Sequence, residues 1–215
     1  MDKKYKLIVL FGESGAGKDI VQKTMADMFP SLLNPIVSCT TRPKRDYEVD
    51  GVHYHFLTTE KMKEMINNKD MLEYSIFNNW YYGTGLISLD PNKINIGVFN
   101  LQGLQSLMHS DQVEFIPVYV HACGKTRLLR NLNREEFPDC KEVCRRYLAD
   151  DQEFYSAYTI LYDKKNFPAS FQEGFFGIPV IRFENEEGTD IKKEVKHLKP
   201  IMDQIKEWAE KLNLS

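Results

Sequence analysis

Eight consecutive residues carry the first recognisable chemistry in this chain: Gly12-Glu13-Ser14-Gly15-Ala16-Gly17-Lys18-Asp19. The pattern G-x-x-x-x-G-K suits phosphate. Its glycines let the backbone wrap around phosphate oxygens without Cβ clashes. The freed N–H groups and a helix N-terminus then supply positive potential. Lys18 adds a mobile ammonium for β- and γ-phosphates. The next position calls for a Ser or Thr hydroxyl that binds Mg²⁺, and the chain has Asp19 there instead. A Gly-rich turn with no further role is the plain alternative; the lysine, together with a strand before and a helix after, argues against it.

A second constellation follows, Val37-Ser38-Cys39-Thr40-Thr41-Arg42-Pro43-Lys44-Arg45 and then Glu48-Val49-Asp50-Gly51-Val52-His53-Tyr54-His55-Phe56. Arg42 and Arg45 are three apart with hydroxyls before them, and guanidinium forks bind phosphate oxygens bidentately. Tyr54 and Tyr82 can add phenolic hydrogen bonds. Glu73 interrupts an otherwise apolar run, Met71-Leu72-Glu73-Tyr74. A carboxylate there can accept from both N1–H and the exocyclic amine of guanine, a pair that adenine does not offer. Taken singly, these residues equally describe a solvated cluster of charges on a hairpin and an outward-facing glutamate.

Such groups need rigid elements to hold them. Tyr5–Phe11 reads as a short buried strand and Asp19–Phe29 as the helix behind the glycine loop. Ile36–Ser38 resumes an extended run. Residues 40–59 read as a small β-rich insertion, with Val52, Tyr54 and Phe56 alternating with His53 and His55. Glu60–Asn68 is expected as a short helix, Met71–Phe77 as a strand, and Asn78-Asn79 as a turn into Trp80-Tyr81-Tyr82-Gly83. Ile94–Phe99 and Val113–Val120 are two more apolar strands around a helix near Leu101–His109. Charged helical sequence runs from Lys125 to about Tyr162, broken by Pro138. Pro179–Phe183 is a last strand and Asp190–Leu212 a last amphipathic helix. Lys164–Gly177 reads as a surface loop, with a partner-binding element as the alternative. Alternating apolar strands and helices predict an α/β fold with a parallel sheet covered on both faces.

The 215 residues suffice for one α/β domain with inserted parts. With 42% hydrophobic and 27% charged residues and a net charge of −3, nothing global suggests a nucleic-acid or membrane partner. There is no 18-residue apolar run, and the N-terminus enters the fold too soon for a signal peptide, so a cytoplasmic protein is expected. Cys39, Cys123, Cys140 and Cys144 form no C-x-x-C pair and read as free thiols.

Together, residues 37–84 strongly resemble guanylate kinase, whose pattern runs V-S-x-T-T-R-x-x-R-x-x-E-x-[DN]-G-x-x-Y-x-F, then L/I-E, then Y-Y-G-T/S. Here these are Val37 to Phe56, Leu72-Glu73, and Tyr81-Tyr82-Gly83-Thr84. The likeness spans roughly residues 5–160, and more weakly the last strand and helix. It implies a P-loop nucleoside-monophosphate kinase fold in a single domain. Its core would be 1–38, 91–124 and 146–215, with an NMP-binding insertion over 39–90 and a helical lid over 125–145. By resemblance, residues 12–19 hold ATP. Arg42, Arg45, Tyr54 and Tyr82 hold the GMP phosphate, and Ser38, Glu73 and Thr84 read the base. The lid resemblance is carried by Arg130 and Arg134, which share a helix face at i, i+4, and by Arg146; a one-residue shift would let Arg127 take one role. With Lys18, these arginines would neutralise the transferring phosphoryl group.

Two positions depart from the family pattern. Its D-x-D-x-Q-G is Val98-Phe99-Asn100-Leu101-Gln102-Gly103 here. Val98 cannot bind metal, and Asn100 keeps an acceptor oxygen for the base or an arginine but no charge. Asp19, gained at the loop, is the expected Mg²⁺ ligand. The stretch Ile87–Lys93 is also thinner than the helix the family has there. The resemblance implies an ATP- and Mg²⁺-dependent kinase of GMP or dGMP. The rivals are a guanylate-kinase-like scaffold domain without catalysis, which Lys18 and the lid arginines oppose, and a kinase for another phosphorylated small molecule, which Glu73 opposes.

Overall fold

The structure, a computed structural model, describes residues 4–46, 48–134, 136–160 and 173–214. Its centre is a five-stranded parallel sheet. In chain order the strands are β1 (Tyr5–Phe11), β2 (Leu33–Pro35), β7 (Ile94–Val98), β8 (Val113–His121) and β12 (Ile181–Glu184), and in space they run β12-β8-β1-β7-β2. β1 explains why both faces are covered. Ile8 and Leu10 point to one face, where they meet Val21 and Met25 of α1 (Lys18–Met28), Val195 of α6 (Ile191–His197), and Ile205 and Trp208 of α7 (Lys199–Leu212). Leu7, Val9 and Phe11 point to the other, against Leu104 and Leu107 of α3 (Leu101–Met108) and Phe154 of α5 (Cys140–Ala157). A strand segment buried on both faces has to be apolar, as β1 is from Leu7 to Phe11. The expected α/β fold with a parallel sheet core is therefore present.

A separate four-stranded sheet is built from β3 (Cys39–Thr40), β4 (His55–Phe56), β5 (Met71–Phe77) and β6 (Trp80–Gly85), in the order β4-β3-β6-β5. The β5–β6 hairpin turns at Asn78 and Asn79, which both take positive φ (50° and 63°), as a tight hairpin turn requires. Helix α2 (Thr59–Asn67) is capped by Thr58, whose side chain accepts from Lys61 N–H. Helix α4 (Gly124–Leu132) and α5 follow β8, and a three-stranded antiparallel sheet joins β9 (Tyr158–Ile160), β10 (Glu173–Phe175) and β11 (Ile178–Pro179).

Several boundaries differ from the sequence reading, each for a local reason. The strand expected at Ile36–Ser38 lies earlier, at Leu33–Pro35. Ile36 N–H still bonds Ile96 O, but Gln22 then caps the carbonyls of Ile36 and Ile96, and the chain leaves the sheet. The alternation over Val52–Phe56 is mostly a turn: Gly51 takes φ +75°, Val52 and His53 N–H both bond Val49 O, and only His55–Phe56 is strand. The last helix is two, α6 and α7, because Pro200 has no N–H to continue a ladder across Leu198. Helical sequence after Pro138 ends at Ala157, and β9 follows. Much of the loop expected over 164–177 lies outside the described residues, but 173–175 is a strand and Phe175 is fully buried against Phe11. The thin segment Ile87–Lys93 holds the end of a single 3-10 turn, Leu86–Ser88. No described helix is long and apolar enough to cross a membrane.

Candidate active site

The glycine loop bridges the C-terminal end of β1 and the start of α1. Gly17 is the N-cap of α1 at φ +89°, and a Cβ there would lie 2.3 Å from Asn185 Nδ2, which itself donates to Ala16 O. Only glycine fits both constraints. Several of the loop's carbonyls, and its Ser14 amide, are engaged from within the protein. Lys18 Nζ donates to the carbonyls of Gly12 (2.8 Å) and Glu13 (3.0 Å). Burial lowers the Lys18 ammonium from its ordinary range, and the charges of Asp19, Asp150 and Glu13 partly oppose this. Arg130 reaches the carbonyls of Gly15 and Ala16, Ser14 Oγ bonds Asn131 Oδ1, and Ser14 N–H donates to Asp150 Oδ2 at 2.6 Å.

Glu13 is buried. Its carboxylate accepts from Tyr119 Oη and lies 3.8 Å from Arg127 Nη2, which in turn pairs with Asp151 at 2.7 Å. Arg127 is therefore a tether between the loop and helices α4 and α5, stacked 4.8 Å from the Tyr147 ring. It is turned away from the lid role that a shifted alignment would have given it. Arg134 and Arg146 line one cleft with Arg45, Asn131 and Glu142, and Arg146 also pairs with Glu142. Two of the three arginines expected in a lid thus share a cleft with Arg45, while Arg130 faces the glycine loop.

In the insertion, Arg42 makes a two-pronged pair with Glu48 (2.9 and 2.7 Å) and packs on the Tyr54 and Phe56 rings. Burial alone would raise the Glu48 carboxyl; its bonds from Arg42 and from Arg45 N–H outweigh that and hold it below its ordinary value. Tyr54 and Tyr82 sit edge to face, with centroids 6.3 Å apart. Burial pushes the Tyr54 hydroxyl up to about 12, with Asp19 the next contributor. Asp19 is exposed, and its charge acts on both Lys18 and Tyr54. An exposed carboxylate at the end of the loop has the donor chemistry for Mg²⁺, a hard cation that takes few protein oxygens and fills its shell with phosphate and water.

Glu73 lies opposite Thr84 in the β5–β6 ladder, and both are buried. Burial pushes the Glu73 carboxyl up to about 7, against a smaller opposing pull from Thr84. Thr84 Oγ1 has no partner at hydrogen-bonding geometry. A Cβ on Gly103 would stand 3.1 Å from Glu73 Oε2, so glycine at the start of α3 makes room for the acid. Asn100 caps α3, accepting from Gly103 N–H at 2.7 Å and donating to Ser75 Oγ at 2.8 Å. Ser38 is half-buried, and its carbonyl accepts from His55 N–H. Glu48, Tyr119 and Asp150 were not singled out from sequence as site residues, and Arg127 was considered only for the lid. Glu48 had a signal, an acid six residues after Arg42; Tyr119 and Asp150, and the tethering role of Arg127, become visible only once α4, α5 and β8 are packed on the loop.

The guanylate kinase family model matches residues 4–173. The chain belongs to the guanylate kinase family. Among relatives, it is similar to the guanylate kinase of Helicobacter pylori (38% identical over 111 residues, 50% of this chain and 53% of that one) and of Mycoplasmoides gallisepticum (45% over 109 residues, 48% and 56%). The Paramagnetospirillum magneticum guanylate kinase is 32% identical over 148 residues, covering 66% of this chain and 68% of that one. The chain thus spans about half the length of the first of these relatives. A crystal structure of guanylate kinase from Anaplasma phagocytophilum matches with a TM-score of 0.54 at 16% identity, over 95% of this chain and 87% of that one, a likeness of fold.

Proposed function

We propose that this chain transfers the γ-phosphoryl group of ATP to GMP or dGMP, with residues 39–90 as the monophosphate-binding part and 125–145 as the lid. A phosphate oxygen of the monophosphate attacks the γ-phosphorus. The new O–P bond forms as the bond from that phosphorus to the β,γ-bridging oxygen breaks, and ADP leaves with the electron pair. The attacking oxygen is already anionic at neutral pH, so no general base is required. Catalysis is then positioning and charge neutralisation. Lys18, Arg130, Arg134 and Arg146 take the neutralising role, and residues 12–19 hold the ATP phosphates. Arg42, Arg45, Tyr54 and Tyr82 hold the acceptor phosphate; Glu48 positions Arg42. Ser38, Glu73 and Thr84 read the base, and Asn100, the cap of α3, borders it. Asp19 would hold Mg²⁺, which when bound offsets charge on the β- and γ-phosphates.

The observation that carries this reading is the buried pair of Glu73 and the unpartnered Thr84 hydroxyl. A carboxylate and an unsatisfied hydroxyl in an apolar place are costly unless a ligand completes them. Guanine's N1–H and amine would do so for Glu73. Sites of this kind reject analogues that leave polar groups unpaired by up to about 10⁴–10⁵-fold. The test is a coupled ADP-release assay across all eight ribo- and deoxyribonucleoside monophosphates. GMP and dGMP should give the highest kcat/KM. Equal values for AMP and GMP would overturn the base assignment, and no turnover with any monophosphate would favour a binding domain.

A further inference from the structure

We infer that Asp150 is a built-in competitor of the nucleotide: its carboxylate occupies the phosphate-binding loop and must be displaced before ATP phosphates can enter. The inference rests on the reading of residues 12–19 as the ATP site. Asp150 lies on α5, far from the loop in sequence, yet its Oδ2 accepts from Ser14 N–H at 2.6 Å. That is the geometry of a charge-assisted bond. Ser14 N–H belongs to the backbone that would otherwise hold a phosphate oxygen, so the carboxylate stands in for the anion. Lys18 matches this state: its ammonium lies folded onto the carbonyls of Gly12 and Glu13. Arg130 does the same with Gly15 and Ala16. The Ser14 amide and four of the loop's carbonyls are thus held by protein groups of both signs.

The acid also has somewhere to go. The neighbouring Arg127 guanidinium is near enough to act on Asp150, and its Nε and Nη1 are buried with no hydrogen-bond partner. An entering phosphate would take Ser14 N–H, and Asp150 would turn toward those two orphan N–H groups. That gives two discrete arrangements with different affinity for phosphate, which a switch requires. The same helix carries Arg146 one turn earlier.

The experiment is calorimetric titration of the whole chain with MgATP, comparing wild type, Asp150→Ala and the isosteric Asp150→Asn, together with exchange of the Ser14 amide proton followed by NMR. Removing the competitor should tighten MgATP binding about tenfold in Asp150→Ala. Asp150→Asn, which keeps an acceptor but not the charge, should fall between and also serves if the alanine variant does not fold. Without nucleotide the Ser14 amide should exchange slowly in wild type and fast in Asp150→Ala. Dissociation constants within twofold of wild type in the folded variants overturn the inference, whatever the exchange shows. Weaker binding in the variants also overturns it and makes Asp150 a nucleotide-binding group. Failure of wild type and variants alike to bind MgATP overturns the phosphate reading itself, and the switch with it.

Discussion

Thr84 stands opposite Glu73 across the β5–β6 ladder with its hydroxyl buried and unpartnered. In a protein whose role there is packing alone, valine would serve better. Thr84→Val should therefore leave the melting temperature unchanged or raise it, since it removes an unsatisfied buried group. If the hydroxyl serves the base, the same change should raise the GMP KM about 5- to 10-fold, the worth of one hydrogen bond, with kcat nearly unchanged. Thermal melts beside steady-state kinetics separate the two: a lower melting temperature with an unchanged KM would make Thr84 a packing residue.

Glu73 gives a pH dependence of definite sign. Burial lifts its carboxyl from the ordinary 4.5 to about 7. Between those values the folded state keeps a proton that the unfolded state has lost. Its contribution to stability is thus full below about 4.5 and declines as pH rises toward 7 and beyond, by about 3 kcal/mol in all. Glu73→Gln should be more stable than wild type at pH 8 and not at pH 4.5. GMP binding runs the other way, because only the carboxylate accepts two hydrogen bonds. The wild-type KM for GMP should fall as pH rises through about 7, whereas the Gln variant should show a high, flat KM. Denaturant melts and KM measured from pH 5 to 8.5 check both signs.

What could be read in advance follows from which interactions are local. The strand–loop–helix unit of Tyr5–Met28 and the strand Met71–Phe77 announced themselves because burial on both faces, or a hairpin turn, writes a continuous pattern into neighbouring residues. Arg42, Tyr54, Glu73 and Thr84 stood out through a family pattern rather than through periodicity. The contacts of Asp150 with Ser14, and of Arg127 with Glu13 and Asp151, join residues far apart in the chain. Nothing in local spacing marks an acid on α5 as a neighbour of the glycine loop. The short strand His55–Phe56 was overestimated for the opposite reason: alternation suggested a longer strand, and the Asp50-Gly51 turn took its first half.

Lys18 is more enclosed than a loop lysine in solvent, with two carbonyl partners. Its ammonium is also desolvated, so Lys18→Ala exchanges two bonds for relief of a buried charge, and the melting temperature should move by only a few degrees. Turnover should fall about 10²–10⁴-fold, as when a positioned electrostatic group is removed. Full activity in a folded Lys18→Ala protein would sink the mechanism.

Arg127 and Glu13 are both nearly fully buried, with side-chain exposures of 5% and 8%. Arg127→Met should destabilise the protein by about 3–5 kcal/mol, because it strands the Glu13 carboxylate in a low-dielectric place. Adding Glu13→Gln should restore part of that loss, giving a double variant better than the sum of the single ones. Chemical denaturation of the four proteins measures the coupling. Strict additivity would mean that Asp151 alone anchors Arg127.

Asp19 replaces the hydroxyl expected at the loop's end, while Val98, where the family pattern carries an aspartate, packs beside the core. A carboxylate at a helix N-terminus contributes about 0.3–1 kcal/mol through the helix dipole. The same charge beside bound β- and γ-phosphates would repel them by about 4 kcal/mol at 4 Å with an effective dielectric of 20. The dipole cannot justify an acid there, but a cation between the two anions can, because it reverses the sign of the interaction. The Asp19 charge acts on both Lys18 and Tyr54, so Asp19 would be the residue to hold Mg²⁺ and supply it to the phosphates there. Asp19→Asn should therefore raise the Mg²⁺ concentration needed for half-maximal rate. It should also weaken Mn²⁺ binding to the ATP complex, read by electron paramagnetic resonance without turnover. Asp19→Ser combined with Val98→Asp should recover part of both. Unchanged Mg²⁺ dependence and unchanged Mn²⁺ affinity in Asp19→Asn would place the metal elsewhere and leave Asp19 as a helix-end acid.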